Sequence, residues 1–108
     1  MKKLTKQFDE GIHVAVLVSP GFGAGWSTWA SGDADELLFD ADIAQAVLDG
    51  MDSGDLELLA KGKYPKEFLG ALDDLEVRWI KQGTEFTVEE YDGSENIRYK
   101  DSIIWSVA

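Results

Sequence analysis

Hydrophobic positions change their spacing along this chain, and each change marks a different kind of element. From Ile12 to Val18 the residues run Ile-His-Val-Ala-Val-Leu-Val. This β-branched run predicts a strand, and its lack of clean alternation predicts cover on both faces. Ser19-Pro20-Gly21 ends it, because proline cannot donate to a ladder. From Asp40 to Leu48 the apolar residues Ile43, Ala44, Val47 and Leu48 recur at helical spacing, with Asp40 placed to cap them and Gly50 to stop them. A second short helix is expected with Ser53 as cap, Leu56, Leu59 and Ala60 on one face and Gly62 as its end. Pro65 can open a further turn through Leu69, closed by Gly70.

Beyond residue 74 the period falls to two. Leu75 to Ile80 predicts a strand with one wet face, and Gln82-Gly83 suits a turn. Thr84 to Tyr91 gives a second strand with Phe86 and Val88 on one side. Asp92-Gly93-Ser94 predicts a tight turn, Ile97 to Tyr99 an antiparallel return, and Ile103 to Val107 a last short strand. Residues 1–10 read as a polar lead-in, and 30–36 as a loop. The fold expected is α+β: a single domain over 1–108 with one largely antiparallel sheet of about four to five strands. Two or three short helices are inserted after its first strand.

Composition narrows what such a domain can do. The chain has 108 residues, 44% hydrophobic and 29% charged, which suits one folded domain with one modest core. Ten Lys and Arg stand against 21 Asp and Glu, a net charge of −11. That charge argues against direct nucleic-acid binding. Its plain use is solubility; its sharper use is an acidic face for a basic partner, or a mimic of nucleic acid. Cysteine is absent, which removes disulfides, thiolate nucleophiles and cysteine metal sites. The longest apolar run, Val14 to Val18, is too short to cross a bilayer, and no apolar stretch directly follows the basic N-terminus. No membrane association and a cytoplasmic location are the resulting expectations.

The candidate chemistry lies between the first strand and the helices. Gly21-Phe22-Gly23-Ala24-Gly25-Trp26-Ser27-Thr28-Trp29 sets alternating glycines before two tryptophans. Gly23 and Gly25 can aim backbone N–H groups at a phosphate, Ser27 and Thr28 add hydroxyl donors, and Trp26 or Trp29 can stack on a flat ring. Tyr91 and Glu95 would form a polar rim beside them. Arg78, Arg98 or Lys100 would offset ligand charge. Such a site is best accommodated between subunits of a homo-oligomer, since a chain this size has little room for a deep pocket. Trp26→Ala should then abolish binding and leave the fold intact. The bland alternative is a loop whose tryptophans cap the core.

The spacing is wrong for a dinucleotide fingerprint, and no Lys-Ser/Thr follows the glycines as a phosphate-binding loop requires. His13 is the lone histidine and is read as structural. Gly25-Trp26-Ser27-Thr28-Trp29 lacks the closing glycine of a nucleophile elbow. Acidic clusters at Asp33/Asp35/Glu36, Asp40/Asp42, Asp49/Asp52/Asp55 and Glu89/Glu90/Asp92 lack calcium-loop order and read as caps and solvated faces. No nucleophile, base and orienting partner occur together, so neither an enzyme nor a metal or cofactor site is expected.

Gly23-Ala24-Gly25-Trp26-Ser27-Thr28-Trp29 and Glu90-Tyr91-Asp92-Gly93-Ser94-Glu95 are the distinctive blocks. With Leu38-Phe39-Asp40, Tyr64-Pro65, Leu75–Trp79 and Gly83–Phe86 they cover roughly residues 22–99. In these blocks the chain resembles a group of small uncharacterised proteins of bacteriophages and prophages. The resemblance implies a phage-derived accessory protein acting inside a bacterial cell, by analogy with small acidic inhibitors of host defence. Two functions fit: sequestering a nucleotide-like small molecule through the Gly/Trp loop, or inhibiting a basic host protein through the acidic surface.

Overall fold

The computed structural model describes residues 2–100. The Ile12–Val18 run becomes β2 (Gly11–Val18), the middle strand of a three-stranded antiparallel sheet. β1 (Thr5–Phe8) pairs with one edge in the register Thr5↔Val14. β3 (Glu76–Lys81) pairs with the other, setting Val14 opposite Ile80 and Val18 opposite Glu76. Ala15, Val16, Leu17 and Val18 are all buried, so the missing alternation does reflect cover on both faces.

The two faces carry different cover. Ala15 and Leu17 belong to the main core, with Ile43 and Ala44 of α2 (Ala41–Leu48) and Leu56 and Ala60 of α3 (Ser53–Lys63). Complete burial of Ile43 is worth about 2–3 kcal/mol. Val16, Val18 and Ile80 form a second cluster with Leu38 and Phe39 of α1 (Ala34–Phe39) and with Phe86, Val88 and Ile97. Those last three come from the hairpin of β4 (Phe86–Tyr91) and β5 (Ser94–Tyr99). Its turn places Asp92 at φ 49° and Gly93 at φ 86°, the two left-handed positions of a type I′ turn. Gly93 is needed for a second reason: a Cβ there would lie 2.3 Å from the backbone nitrogen of Ala24.

The α+β class and the antiparallel strands agree with the sequence reading, while several details differ. The strands form two ladders, β1-β2-β3 and β4-β5, instead of one sheet. Part of the polar lead-in is β1, an exposed edge strand held by its backbone bonds to β2. Part of the expected loop is α1. Asp52, not Ser53, caps α3, its carboxylate accepting from the Asp55 N–H at 2.9 Å, and that helix runs through Gly62 to Lys63. Asp40 caps α2 as expected, accepting from the Ile43 N–H at 2.8 Å. A short 3₁₀ turn at Leu72–Asp74 leads into β3. The expected strand Ile103–Val107 lies outside the described residues. No helix among those described is long and apolar enough to cross a membrane.

Candidate functional site

Glycine-rich backbone with free N–H groups attracts an anion, and in this fold the anion is supplied by the chain itself. Glu95, at the start of β5, is fully buried. One carboxylate oxygen accepts from the Ser19 N–H at 2.9 Å. The other accepts from the Trp26 N–H at 2.8 Å, and from the Thr28 N–H and hydroxyl at 3.1 and 2.6 Å. The Glu95 N–H returns a bond to the Ser19 carbonyl at 2.8 Å. Nearby, the Gly23 N–H donates to the Asp92 carbonyl at 2.8 Å and the Ser94 hydroxyl to the Pro20 carbonyl at 2.6 Å. The two distinctive sequence blocks therefore meet, and this contact joins the β4–β5 hairpin to the end of β2.

The candidate residues separate into an inner and an outer set. Trp26 is only 1% exposed, and its indole N–H donates to the Leu37 carbonyl at 2.8 Å. It is a core residue that cannot stack on a ligand, so Trp26→Ala would strike the fold itself, against the sequence expectation. Gly25 fits beneath the next turn, where a Cβ would approach Thr28 Oγ1 to 2.5 Å and Trp29 Cδ1 to 2.6 Å. Ser27 is buried, and Gly23 and Thr28 are committed to the internal bonds already described. Glu95 is the buried anion at the centre and not a rim residue.

Trp29 and Tyr91 remain outside, 40% and 73% exposed. Trp29, closing a 3₁₀ turn at Ser27–Trp29, stacks on Phe68 with ring centroids 6.0 Å apart and planes 26° from parallel. Phe68 is 61% exposed and lies over Gly70, where a Cβ would also come within 3.3 Å of Ala24 Cβ. Phe22, two residues before Ala24, is 73% exposed. Gly23 and Ala24 abut Gly93, two residues beyond Tyr91. Trp29 and Phe68 thus form an exposed aromatic pair, and Phe22 and Tyr91 are exposed on the chain segments that meet at the Gly23–Ala24 contact with Gly93. Carboxylates lie in or beside these segments: Asp74 stands against Gly21, Glu90 accepts from the Gly93 N–H at 2.9 Å, and Asp92 lies in the hairpin turn itself. Sequence reasoning missed Phe22 and Phe68, since nothing local distinguishes an exposed phenylalanine from a core one.

Two further carboxylates hold the helices behind this face. Glu67 accepts from the Ser31 hydroxyl and N–H and from the Gly32 and Asp33 N–H groups. These bonds, led by that of the Ser31 hydroxyl, pull its pKa down to about 2. Asp40 accepts from the Tyr64 hydroxyl at 2.5 Å and pairs with Lys63 at 2.8 Å. Burial, then the bond to Asp40, raises the Tyr64 pKa. Burial works against the charge of Lys63, but its bonds to Asp40 and Asp42 outweigh that and leave its pKa raised.

The other candidates stand apart. Arg78 pairs with Glu76, Arg98 with Glu89 at 2.6 Å and Lys100 with Glu85 at 2.7 Å, each within its own ladder or the adjoining turn. The His13 ring is 3.0 Å from the Gly11 carbonyl through Nδ1 and meets Phe8 edge-on at 4.6 Å. Among the described residues no three metal-ligating side chains converge. No protein-family model, curated protein or solved structure matches the chain significantly.

Proposed function

We propose that this protein is a non-catalytic binding protein that docks a basic protein partner through the aromatic face of Phe22, Trp29, Phe68 and Tyr91. The observation that carries this reading is the exposure of four large aromatic side chains on adjoining loops of a chain with net charge −11. Aromatic side chains are favoured anchors at protein interfaces because they bury large areas at low entropic cost. The carboxylates in or beside the same loops supply electrostatic complementarity to a cationic rim. The phage-type accessory role comes from the two sequence blocks alone; it makes a bacterial host protein the partner and inhibition of that protein the consequence. A nucleotide-like ligand in the Gly/Trp loop is less well supported, because Trp26 is buried, the Thr28 donors are taken by Glu95 and the Gly23 N–H by the Asp92 carbonyl.

The experiment is paired capture from bacterial lysate, with wild-type protein and a Trp29→Ala/Phe68→Ser variant immobilised side by side. The expected result is a basic protein retained by the wild type, lost by the variant and released by salt. Identical retention by both forms would remove the aromatic face from the proposal, and retention unchanged at high salt would remove the basic partner.

A further inference from the structure

A second surface of the molecule differs in electrostatic character from the rest. Between the Val16 face of the three-stranded sheet and the start of the β4–β5 hairpin lies a cleft of about 400 Å³. Its apolar wall is built by Val14, Val16 and Ile80 with the rings of Phe39 and Phe86, which meet edge to face at 6.2 Å. Lys3 stands at its rim; Lys81 borders it too, but its side chain runs past Gly11 on the other face of the sheet. Among the described residues no carboxylate lines the cleft. That is unusual in a chain with 21 Asp and Glu. Four other clefts of 370–430 Å³ each include at least one acid: Glu85 and Glu89, Asp35, Asp9 and Glu10, or Asp73, Asp74 and Glu76. The acid nearest in sequence to the hairpin wall, Glu85, is drawn to Lys100 at 2.7 Å.

The Lys3 ammonium is available to a ligand. It has no ion-pair partner among the described residues and rests 4.1 Å from the centre of the Phe39 ring. The ring holds that charge at the cleft without neutralising it. The hydroxyls of Thr5 and Thr84 add donors at the same rim. We infer that this cleft binds an organic anion with a flat, apolar body, such as an aromatic carboxylate, sulfonate or phosphate ester. The ring system would lie against Phe39 and Phe86, and the anionic group would face Lys3 and the Thr5 and Thr84 hydroxyls. A purely apolar ligand would leave the lysine unused, and an inorganic anion would leave the wall wet. This site is separate from the aromatic face, and neither proposal depends on the other.

The probe is 8-anilinonaphthalene-1-sulfonate, an aromatic anion whose fluorescence rises in apolar surroundings, titrated into the full-length protein. Saturable binding at one site per chain is expected. Lys3→Glu should weaken it about tenfold, the scale of losing one charge-assisted contact, while Lys81→Glu, the same charge change on the other face of the sheet, should leave it nearly unchanged. Thr5→Trp, which fills the mouth from an exposed edge-strand position, should weaken it with the Lys3 charge intact. Circular dichroism spectra of all three should match wild type. Trp29→Ala/Phe68→Ser should leave the titration unchanged. Absence of saturable binding, binding undiminished in Lys3→Glu, equal weakening by Lys3→Glu and Lys81→Glu, or binding lost only in the Trp29→Ala/Phe68→Ser protein would overturn the assignment.

Discussion

Glu95 shows how far one residue's role can lie from its neighbours in sequence. A run of glycines with Ser27 and Thr28 signals a place for an anion; an anion does meet this loop, but on the Ser19, Trp26 and Thr28 N–H groups, with only the Thr28 hydroxyl among the donors expected. The identity of the anion was not legible, because the partner sits 69 residues away from Trp26 across two packed ladders. A buried carboxylate with four donors aimed at it is costly to remove, since each abandoned donor keeps its desolvation penalty. Glu95→Ala should therefore lower stability by at least about 3 kcal/mol in denaturant unfolding. Glu95→Gln keeps the shape and one acceptor oxygen, and should cost about 1–3 kcal/mol. Equal stability of Glu95→Ala and wild type would show that the carboxylate does not hold the loop. The same logic explains why Trp26 and Trp29, three residues apart, have unrelated roles. One indole donates inward to Leu37 and the other lies out on Phe68, a division set by the turn between them.

At the scale of elements, legibility followed locality. β2, β3 and the β4–β5 hairpin were readable because β-branched runs and the Asp92-Gly93 turn carry their own signals. The cap on α2 was readable because Asp40 and Ile43 are neighbours on the chain. The six-residue α1 was not, because its first turn is completed by Glu67, which reaches back over 34 residues to Asp33. β1 was missed because an exposed edge strand has no hydrophobic period to read. The split of the strands into two ladders was hidden because each hairpin signals only its own pairing, while the junction depends on Ser19 and Glu95. The Glu67 clamp has a pH signature. Its pKa is lowered from 4.5 to about 2 in the folded protein, so its stabilisation is fully present above the unfolded value and disappears as pH falls through the folded one. Thermal stability should decline between about pH 4.5 and 2, and Glu67→Gln should make that decline shallower. A midpoint-against-pH curve for Glu67→Gln that parallels wild type would show that the clamp is not formed in solution.

For the whole molecule, salt should act in two opposite directions. The described ion pairs Lys61–Glu57, Arg78–Glu76, Arg98–Glu89 and Lys100–Glu85 are solvent-exposed, and pairs of that kind contribute little each. Against them stands an excess of eleven negative charges spread over a small domain, whose mutual repulsion favours expansion. Screening should therefore help the free protein. Its thermal midpoint should rise by a few degrees between about 10 and 150 mM NaCl, as the Debye length shrinks from about 30 to 8 Å. Docking of a basic partner should weaken over the same range, because there the charges attract. The opposite signs matter, since partial unfolding in salt could also release a partner and would imitate electrostatic dissociation. A midpoint that rises while the complex dissociates assigns the loss to the interface. A midpoint that falls with salt would mean that the exposed ion pairs outweigh the excess charge, and salt release could then no longer be credited to the acidic surface.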